Sequence, residues 1–188
     1  RTNTDGVMKL SNICAKMNLD STIINLDKIT EGAVCSVLQA KHLINNDTPL
    51  LIVSADQVVC YNEDYFEWIT KCDFFDGAPF IFKMTDNDNK WSYCKIGHNG
   101  LIDQVAEKNK ISDWANTGIY YFGYGNDFVS YAEEMIKDNV RINGEFYVAP
   151  IYNYIIKAYG SVVPFFVEQM IGLGTPEDLE KNKDWFNL

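Results

Sequence analysis

Apolar residues recur along the chain in two alternating patterns, which predict alternating strands and helices. Short runs of β-branched or aromatic residues are typical of strands, and apolar residues at helical spacing are typical of helices. The predicted strands are Ser21–Leu26, Leu50–Val53, Ala78–Met84, Trp91–Ile96, Leu101–Val105, Ala115–Phe122 and Val162–Val167. The predicted helices are Thr30–Leu43, Tyr61–Lys71, Asp127–Asp138, Tyr147–Tyr159 and one that begins at Thr175. This alternation predicts a layered α/β fold with a mixed, mostly parallel sheet.

The segment Leu50–Val53 differs from the other predicted strands because all four of its residues are apolar. A strand that is apolar on both sides is usually central in a sheet that helices cover on both faces. The opening tract, residues 1–20, is polar and at best weakly helical, so we expect it to cover little of such a sheet. The length of 188 residues predicts a single domain over 1–188.

The charge of the chain excludes several classes of partner. The sequence has 16 basic and 26 acidic residues, which gives a formal net charge of −10. Nucleic acids and anionic membranes both need a basic surface, so neither is an expected partner. No run of 18 apolar residues predicts a membrane span, and no signal peptide is visible.

The five cysteines indicate a reducing compartment. They are odd in number, widely spaced and never in a Cys-x-x-Cys pair, which argues against a disulfide framework and against a zinc site. We therefore expect reduced, mostly buried thiols in a cytoplasmic protein.

The first candidate for chemistry is Asp56, which follows the apolar strand directly. Ligands of open α/β sheets bind beyond the carboxyl ends of the strands. A carboxylate at that place is suited to Mg²⁺, which takes a few carboxylate oxygens together with substrate phosphates. The alternative interpretation, an aspartate that caps the next turn or helix, is equally open on position alone.

Each of three further tracts has two interpretations, one as a binding site and one as an ordinary structural feature. Gly32, at a predicted helix start, would let a ligand approach the backbone, or it is an ordinary turn glycine. Glu107 and Lys108, after a strand, would bind sugar hydroxyls and a phosphate, or they form a solvated strand end. Asp86 and Asp88 would hold a metal, or they belong to a polar surface turn.

Six tracts, in this order, resemble the sugar-phosphate nucleotidyltransferase family, the pyrophosphorylases that make nucleoside-diphosphate sugars. The matching tracts are Thr30–Ala33, Leu50–Gln57, Val105–Lys108, Asn116–Phe122, Asn143–Tyr147 and Gly174–Leu179. The most similar branch is associated with capsular and surface polysaccharide biosynthesis. The resemblance implies the nucleotide-diphospho-sugar transferase fold, which is GT-A-like and Rossmann-like. It also implies a nucleoside triphosphate and a sugar 1-phosphate as substrates, with Mg²⁺ as cofactor.

The resemblance also implies roles for individual residues. Gly32 matches the glycine that lies against the nucleotide base, and Asp56 matches the acid that binds Mg²⁺ beside the phosphates. Glu107 matches the acid that holds sugar hydroxyls, and Lys108 the lysine that contacts the sugar phosphate. A backbone turn that lines the sugar site matches Thr117 and Gly118. The tract that closes over the sugar contains Glu145.

The sequence departs from the family pattern in two places. The glycine-rich phosphate loop with its arginine and its downstream lysine is absent, so the resemblance implies an N-terminally truncated member. Many members also carry a second metal-binding aspartate where Gly172 stands here, and Glu168 is the nearest acid in the sequence.

Two other functions remain open on the sequence. A truncated relative would bind a nucleotide or sugar phosphate without catalysis. A GT-A glycosyltransferase would instead use Asp86 and Asp88 as its metal site. Because a missing first strand would leave the flank of Leu50–Val53 open, we expect a homo-oligomer or a replacement strand from elsewhere in the chain.

Overall fold

The computed structural model describes residues 4–72 and 74–186, in which helices and strands alternate. The helices are α1 (Thr4–Lys16), α2 (Ala33–Val37), α3 (Lys41–Ile44), α4 (Glu63–Lys71), α5 (Gly125–Lys137), α6 (Ile151–Lys157) and α7 (Pro176–Lys181), with 3₁₀ turns at Leu38–Ala40 and Lys183–Phe186. The strands are β1 (Leu50–Val53), β2 (Gln57–Cys60), β3 (Gly77–Lys83), β4 (Ser92–Ile96), β5 (Ile102–Glu107), β6 (Trp114–Phe122), β7 (Phe165–Phe166) and β8 (Gln169–Gly172).

The main sheet has six strands arranged around β6. Its order is β5-β4-β6-β3-β7, and β1 pairs with the carboxyl-terminal half of β6 on the side of β4. Every pair is antiparallel except β3 with β7, and β2 forms a separate antiparallel pair with β8. The prediction of an α/β fold with a mixed sheet is confirmed. The expected mostly parallel order is wrong, because β4, β5 and β6 follow one another through short turns rather than helical crossovers.

The core lies on both faces of this sheet. On one face, α5 and α6 pack on β6 through a cluster that includes Phe122, Phe128 and Tyr152. On the other face, α4 places Ile69 against Phe80 and other aromatic residues. The two apolar faces of the sheet are therefore covered by helices in layers, as the α/β class requires.

Strand β1 is an edge strand and not the central strand that its composition predicted. Leu50 and Ile52 pack against the core, whereas the side chains of Leu51 and Val53 are 43% and 54% exposed. Within the described residues, β1 pairs along one side only, so the other side is an open edge that no strand of this chain fills. Whether a second copy covers that edge stays a prediction.

The amino-terminal quarter differs most from the sequence prediction. Residues 21–26 do not form a strand, because no strand of the described chain pairs with them and an unpaired strand leaves its backbone groups without partners. The opening tract is helical over α1, although residues 1–3 lie outside the described part. The predicted helix Thr30–Leu43 is broken into α2, a 3₁₀ turn and α3.

The remaining predicted elements are confirmed with shifts of a few residues at their ends. The helix predicted from Tyr147 begins only at Ile151, with Pro150 as its N-cap residue. The strand predicted over Val162–Val167 shrinks to β7, and the sequence prediction missed β2 and β8. All five cysteines are free, but only Cys94 is buried. No helix of the described residues is long and apolar enough to cross a membrane.

Candidate active site

The largest cluster of predicted site residues surrounds a cavity of about 520 Å³. The cavity lies where the end of β1, the middle of β6 and the end of β5 meet the first turn of α2. Its walls include Asp56, Glu107, Asn116, Thr117, Gly118 and Tyr147. A second cavity of about 470 Å³ adjoins it and shares Asp56 with it. The first volume is within the range of cavities that hold small organic ligands.

Asp56 stands at the junction of the two cavities. It lies in the turn between β1 and β2, and its exposed carboxylate has no hydrogen bond or ion pair within the described chain. Gly174 leaves room beside it, since a Cβ there would lie 3.2 Å from Asp56 Oδ2. The described residues contain no cluster of three or more potential metal ligands. A metal ion at Asp56 would therefore depend on ligand oxygens for most of its coordination, as Mg²⁺ commonly does.

A second carboxylate in this region belongs to Asp178, which the sequence analysis had treated only as part of a helix start. Thr175 Oγ1 donates a hydrogen bond of 2.8 Å to Asp178 Oδ2, and both residues line the second cavity with Asp56. Glu168 lies at the other end of the β2–β8 pair, where its N–H donates to the carbonyl of Cys60. Of these two acids, Asp178 and not Glu168 therefore lines the second cavity with Asp56.

Glu107 presents a partly buried carboxylate to the first cavity. It is the last residue of β5, and Ser92 Oγ donates a hydrogen bond of 2.5 Å to its Oε2. Burial raises the pKa of the Glu107 carboxyl above its usual range, and the hydrogen bond from Ser92 opposes part of that rise. The group is thus a desolvated hydrogen-bond acceptor that faces a ligand-sized space.

We expect the Glu107→Gln variant to be more stable than the wild type near pH 7. Because the folded-state pKa of Glu107 is raised, its contribution to the free energy of unfolding is present below its unfolded pKa and is lost as the pH rises through the folded pKa. The advantage of the variant should therefore shrink as the pH falls toward the ordinary pKa of a glutamate carboxyl, about 4.3. Thermal unfolding across this pH range tests the sign, with the exposed Glu177→Gln as control. An advantage that grows on acidification would contradict it.

A turn in β6 places an unpaired amide group in the cavity wall. Gly118, at φ +88°, donates its N–H to Asn116 Oδ1 at 2.6 Å, and the carbonyl of Gly118 accepts from the N–H of Ser54. Asn116 is only 2% exposed, yet its Nδ2 has no hydrogen-bond partner. Buried donors are normally paired, so an unpaired amide on a residue of the cavity wall is unusual. Asn116 was not among the predicted site residues, although it opens the Asn116–Phe122 tract.

The predicted residues Lys108 and Glu145 both form hydrogen bonds with Tyr147. Lys108 Nζ donates to Tyr147 Oη at 2.5 Å, and Tyr147 Oη donates to Glu145 Oε2 at 2.6 Å. Of these three residues, Tyr147 lines the cavity. The hydrogen bond with Tyr147 is the main reason why the pKa of the Lys108 ammonium is raised, so Lys108 stays charged at neutral pH.

The structure explains the glycine at position 32 without reference to any ligand. Its φ is +129°, and a Cβ there would lie 2.5 Å from the backbone N and O of Phe146. The flanking N–H groups tie the two segments together, since Phe146 N donates to the carbonyl of Glu31 and Val34 N donates to the carbonyl of Phe146. Ala33 and Ser36, rather than Gly32, line the cavity. Contact between Gly32 and a nucleotide base stays a prediction.

The Gly32→Ala variant should be markedly destabilised, because the added Cβ meets backbone that has little freedom to move. We expect a loss of about 2–3 kcal/mol, or about 4–12 °C in Tm for a chain of this size. Thermal unfolding measures it, with Gly100→Ala as the matched control. Gly100 also has a positive φ, but a Cβ there would meet nothing within 4 Å. Equal losses in the two variants would show that the contact with Phe146 is unimportant.

Asp86 and Asp88 lie in a polar surface turn. Asp88 Oδ1 accepts from the backbone N–H of Lys90, and its other oxygen pairs with the ammonium of Lys90 at 3.2 Å. That backbone hydrogen bond is the main reason why the pKa of Asp88 is lowered. Neither aspartate lines either of the two cavities. The predicted surface turn is therefore confirmed, and metal binding by this tract stays a prediction.

Comparison with solved structures shows that other proteins share the fold. A nucleoside-diphosphate-sugar pyrophosphorylase from Vibrio cholerae RC9 superimposes with a TM-score of 0.80 at 21% identity, over 96% of this chain and 77% of that one. A UDP-glucose pyrophosphorylase complexed with UDP-glucose superimposes with a TM-score of 0.74 at 14% identity, over 99% of this chain and 74% of that one. An inositol-1-phosphate CTP transferase from T. maritima superimposes with a TM-score of 0.66 at 11% identity, over 90% of this chain and 66% of that one.

The sequence itself matches one family. A search among curated proteins finds no match. The family model described as nucleotidyl transferase matches residues 7–147. That match covers well over half of the 188 residues, and it includes Asp56, Glu107, Asn116 and Tyr147 of the cavity wall. The chain therefore belongs to the nucleotidyl transferase family.

Proposed function

We propose that this chain takes part in the transfer of a nucleotidyl group to a sugar 1-phosphate, and that the first cavity binds the sugar. One observation carries the proposal: Asn116, whose amide is unpaired, and Glu107, whose carboxylate is desolvated, line the same cavity. A sugar hydroxyl both donates and accepts hydrogen bonds, so this donor and this acceptor match a polyol. A site built to pair with hydroxyl groups discriminates strongly against molecules that lack them.

In the proposed reaction, a phosphate oxygen of the sugar 1-phosphate attacks the α-phosphorus of a nucleoside triphosphate. A new P–O bond forms, the bond to the bridging oxygen breaks, and pyrophosphate leaves with the electron pair. The protein contributes position and charge, because no covalent intermediate with a side chain is required. Asn116 and Glu107 hold the sugar, and the Lys108 ammonium attracts the sugar phosphate. Mg²⁺, when bound at Asp56, would supply positive charge beside the phosphates.

A thermal-shift screen tests the proposal. The ligands are nucleoside triphosphates and sugar 1-phosphates, each with and without Mg²⁺, and the neutral parent sugars serve as controls. A ligand at 100 times its dissociation constant stabilises the protein by about 2.7 kcal/mol, which corresponds to a rise of several degrees in Tm. We expect a rise with a sugar 1-phosphate and a smaller one with the neutral sugar. If no sugar 1-phosphate raises the Tm at millimolar concentration, the proposal is wrong.

A binding protein without catalysis is the second candidate function. One observation favours it: Gly172 stands where many members of the family carry a second metal-binding aspartate. The release of pyrophosphate from a triphosphate and a bound sugar 1-phosphate separates the two candidates. Nucleotide sugar made by such an enzyme would serve as a precursor for polysaccharide synthesis, in keeping with the branch that the six tracts resemble.

A further inference from the structure

Tyr147 links the two charged residues Lys108 and Glu145 at the wall of the first cavity. Its hydroxyl accepts a hydrogen bond from Lys108 Nζ and donates one to Glu145 Oε2. The carboxylate can only accept, so it takes the single proton of the hydroxyl and leaves the oxygen lone pairs for the ammonium. Glu145 therefore fixes the direction of the hydroxyl, and the hydroxyl fixes the position of Nζ.

The backbone of Lys108 adds a second constraint on its side chain. Lys108 has a φ of +53°, in the left-handed region, and its N–H donates to the carbonyl of Trp91 at 2.9 Å. This conformation turns the chain directly after β5, so that Lys108 leaves the direction of the strand. A lysine has four flexible bonds beyond Cα, and without a partner its ammonium would sample many positions.

The tyrosine holds the ammonium without neutralising it. Lys108 forms no ion pair among the described residues, although Glu107 is its neighbour and Glu145 lies one hydrogen bond farther along. A direct ion pair with either carboxylate would compete with an anionic ligand for the lysine. A phenol carries no charge at neutral pH, because burial raises the pKa of the Tyr147 hydroxyl. The charge of Lys108 thus stays available to a phosphate.

We propose that Tyr147 is a positioning residue that holds the Lys108 ammonium for the phosphate of the sugar 1-phosphate, and that Glu145 orients Tyr147 for this task. The inference rests on the proposed function, since it names the group that Lys108 meets. It moves Glu145 from a ligand contact to a support of Tyr147.

The test is a double-mutant cycle between Tyr147→Phe and Lys108→Met. Calorimetric titration measures affinity for two probes, glucose 1-phosphate and N-acetylglucosamine 1-phosphate. We expect Tyr147→Phe to weaken binding about 10-fold and Lys108→Met at least as much. The double variant should bind as weakly as Lys108→Met alone, because the tyrosine acts through the lysine. Additive losses would overturn the inference, since Tyr147 would then act on the ligand by itself.

Two further variants complete the design. Tyr154→Phe is the matched control, because Tyr154 donates its hydroxyl to Asp138 Oδ2 at 3.2 Å and does not line the cavity. It should leave the affinity unchanged. Glu145→Gln keeps an oxygen that accepts the hydroxyl proton, so it should retain most of the affinity, whereas Glu145→Ala should resemble Tyr147→Phe. If both Glu145 variants bind with unchanged affinity, Glu145 does not orient Tyr147.

Failure of this inference and failure of the proposed function give different results. If the wild-type protein binds neither probe in the titration nor any sugar 1-phosphate in the thermal-shift screen, the proposed function fails and the inference fails with it. If the wild type binds and Tyr147→Phe binds equally well, the inference alone is wrong. Thermal unfolding of each variant shows that the losses of affinity come from folded protein.

Discussion

The Asn116→Asp variant should lose about 100-fold in affinity for a sugar 1-phosphate. The substitution keeps the shape of the side chain and the oxygen that accepts from the N–H of Gly118, and it replaces the unpaired donor with an acceptor. The loss of a buried hydrogen bond to a ligand, with an acceptor left facing it, costs about 1.5–3 kcal/mol, which corresponds to about 10- to 150-fold. Calorimetric titration of the variant against the wild type measures the loss.

A second substitution at the same position guards against misfolding. Aspartate at a position that is only 2% exposed brings a buried charge near Glu107, so the variant also becomes less stable. Asn116→Leu has a similar volume, carries no charge and removes both polar atoms of the side chain. It should lose affinity to a similar extent while its unfolding transition stays cooperative. Wild-type affinity in a folded Asn116→Leu variant would contradict the role of the amide.

The Asp56→Asn variant should lose the gain in nucleoside triphosphate binding that Mg²⁺ provides. A carboxylate binds a hard cation far better than an amide does, and no other acid of the first cavity lies in the same turn. In the presence of Mg²⁺, we expect the affinity of the variant for a nucleoside triphosphate to fall at least about 10-fold, as for the removal of one charged contact. The variant should then bind the triphosphate no more tightly than the wild type does in the presence of a chelator. Titrations with and without Mg²⁺ measure both values.

Asp88→Asn is the matched control for Asp56→Asn. Asp88 is also an aspartate after a strand, but it is tied to Lys90 and lines neither cavity. It should therefore keep the Mg²⁺ dependence of the wild type. The opposite pattern, with Asp88 required and Asp56 dispensable, would favour the glycosyltransferase alternative and would place the metal in the 86–90 turn.

The sequence predicted best the elements that local pattern determines. Leu50–Val53 has the same bounds in the structure, and the helix that was predicted to begin at Thr175 has Thr175 as its N-cap, where Oγ1 accepts from the N–H of Asp178. The predicted central position of β1 in the sheet was wrong, because a run of four apolar residues does not determine which strands pair with it. Residues 21–26 have the composition of a strand, but a strand also needs a neighbour.

Two charged residues of the cavity wall were predicted from the sequence, whereas two uncharged residues were missed. Asp56 and Glu107, which line the first cavity, were among the predicted site residues because a charged residue after a strand stands out in the sequence. Asn116 and Tyr147 were missed because an amide and a phenol at these positions gain meaning only from their surroundings, namely an unpaired donor and a link between two charges. Gly32 was predicted to lie against a nucleotide base, which stays a prediction, and the structure adds a close approach of the Phe146 backbone that the sequence did not reveal.

A crystal structure of the protein with a bound sugar 1-phosphate would test the central claim most directly. We expect a sugar hydroxyl to accept from Asn116 Nδ2 while the same or a neighbouring hydroxyl donates to the Glu107 carboxylate, with the phosphate on the side of Lys108. A sugar 1-phosphate bound outside the first cavity, or bound within it while Asn116 Nδ2 stays unpaired, would contradict the account.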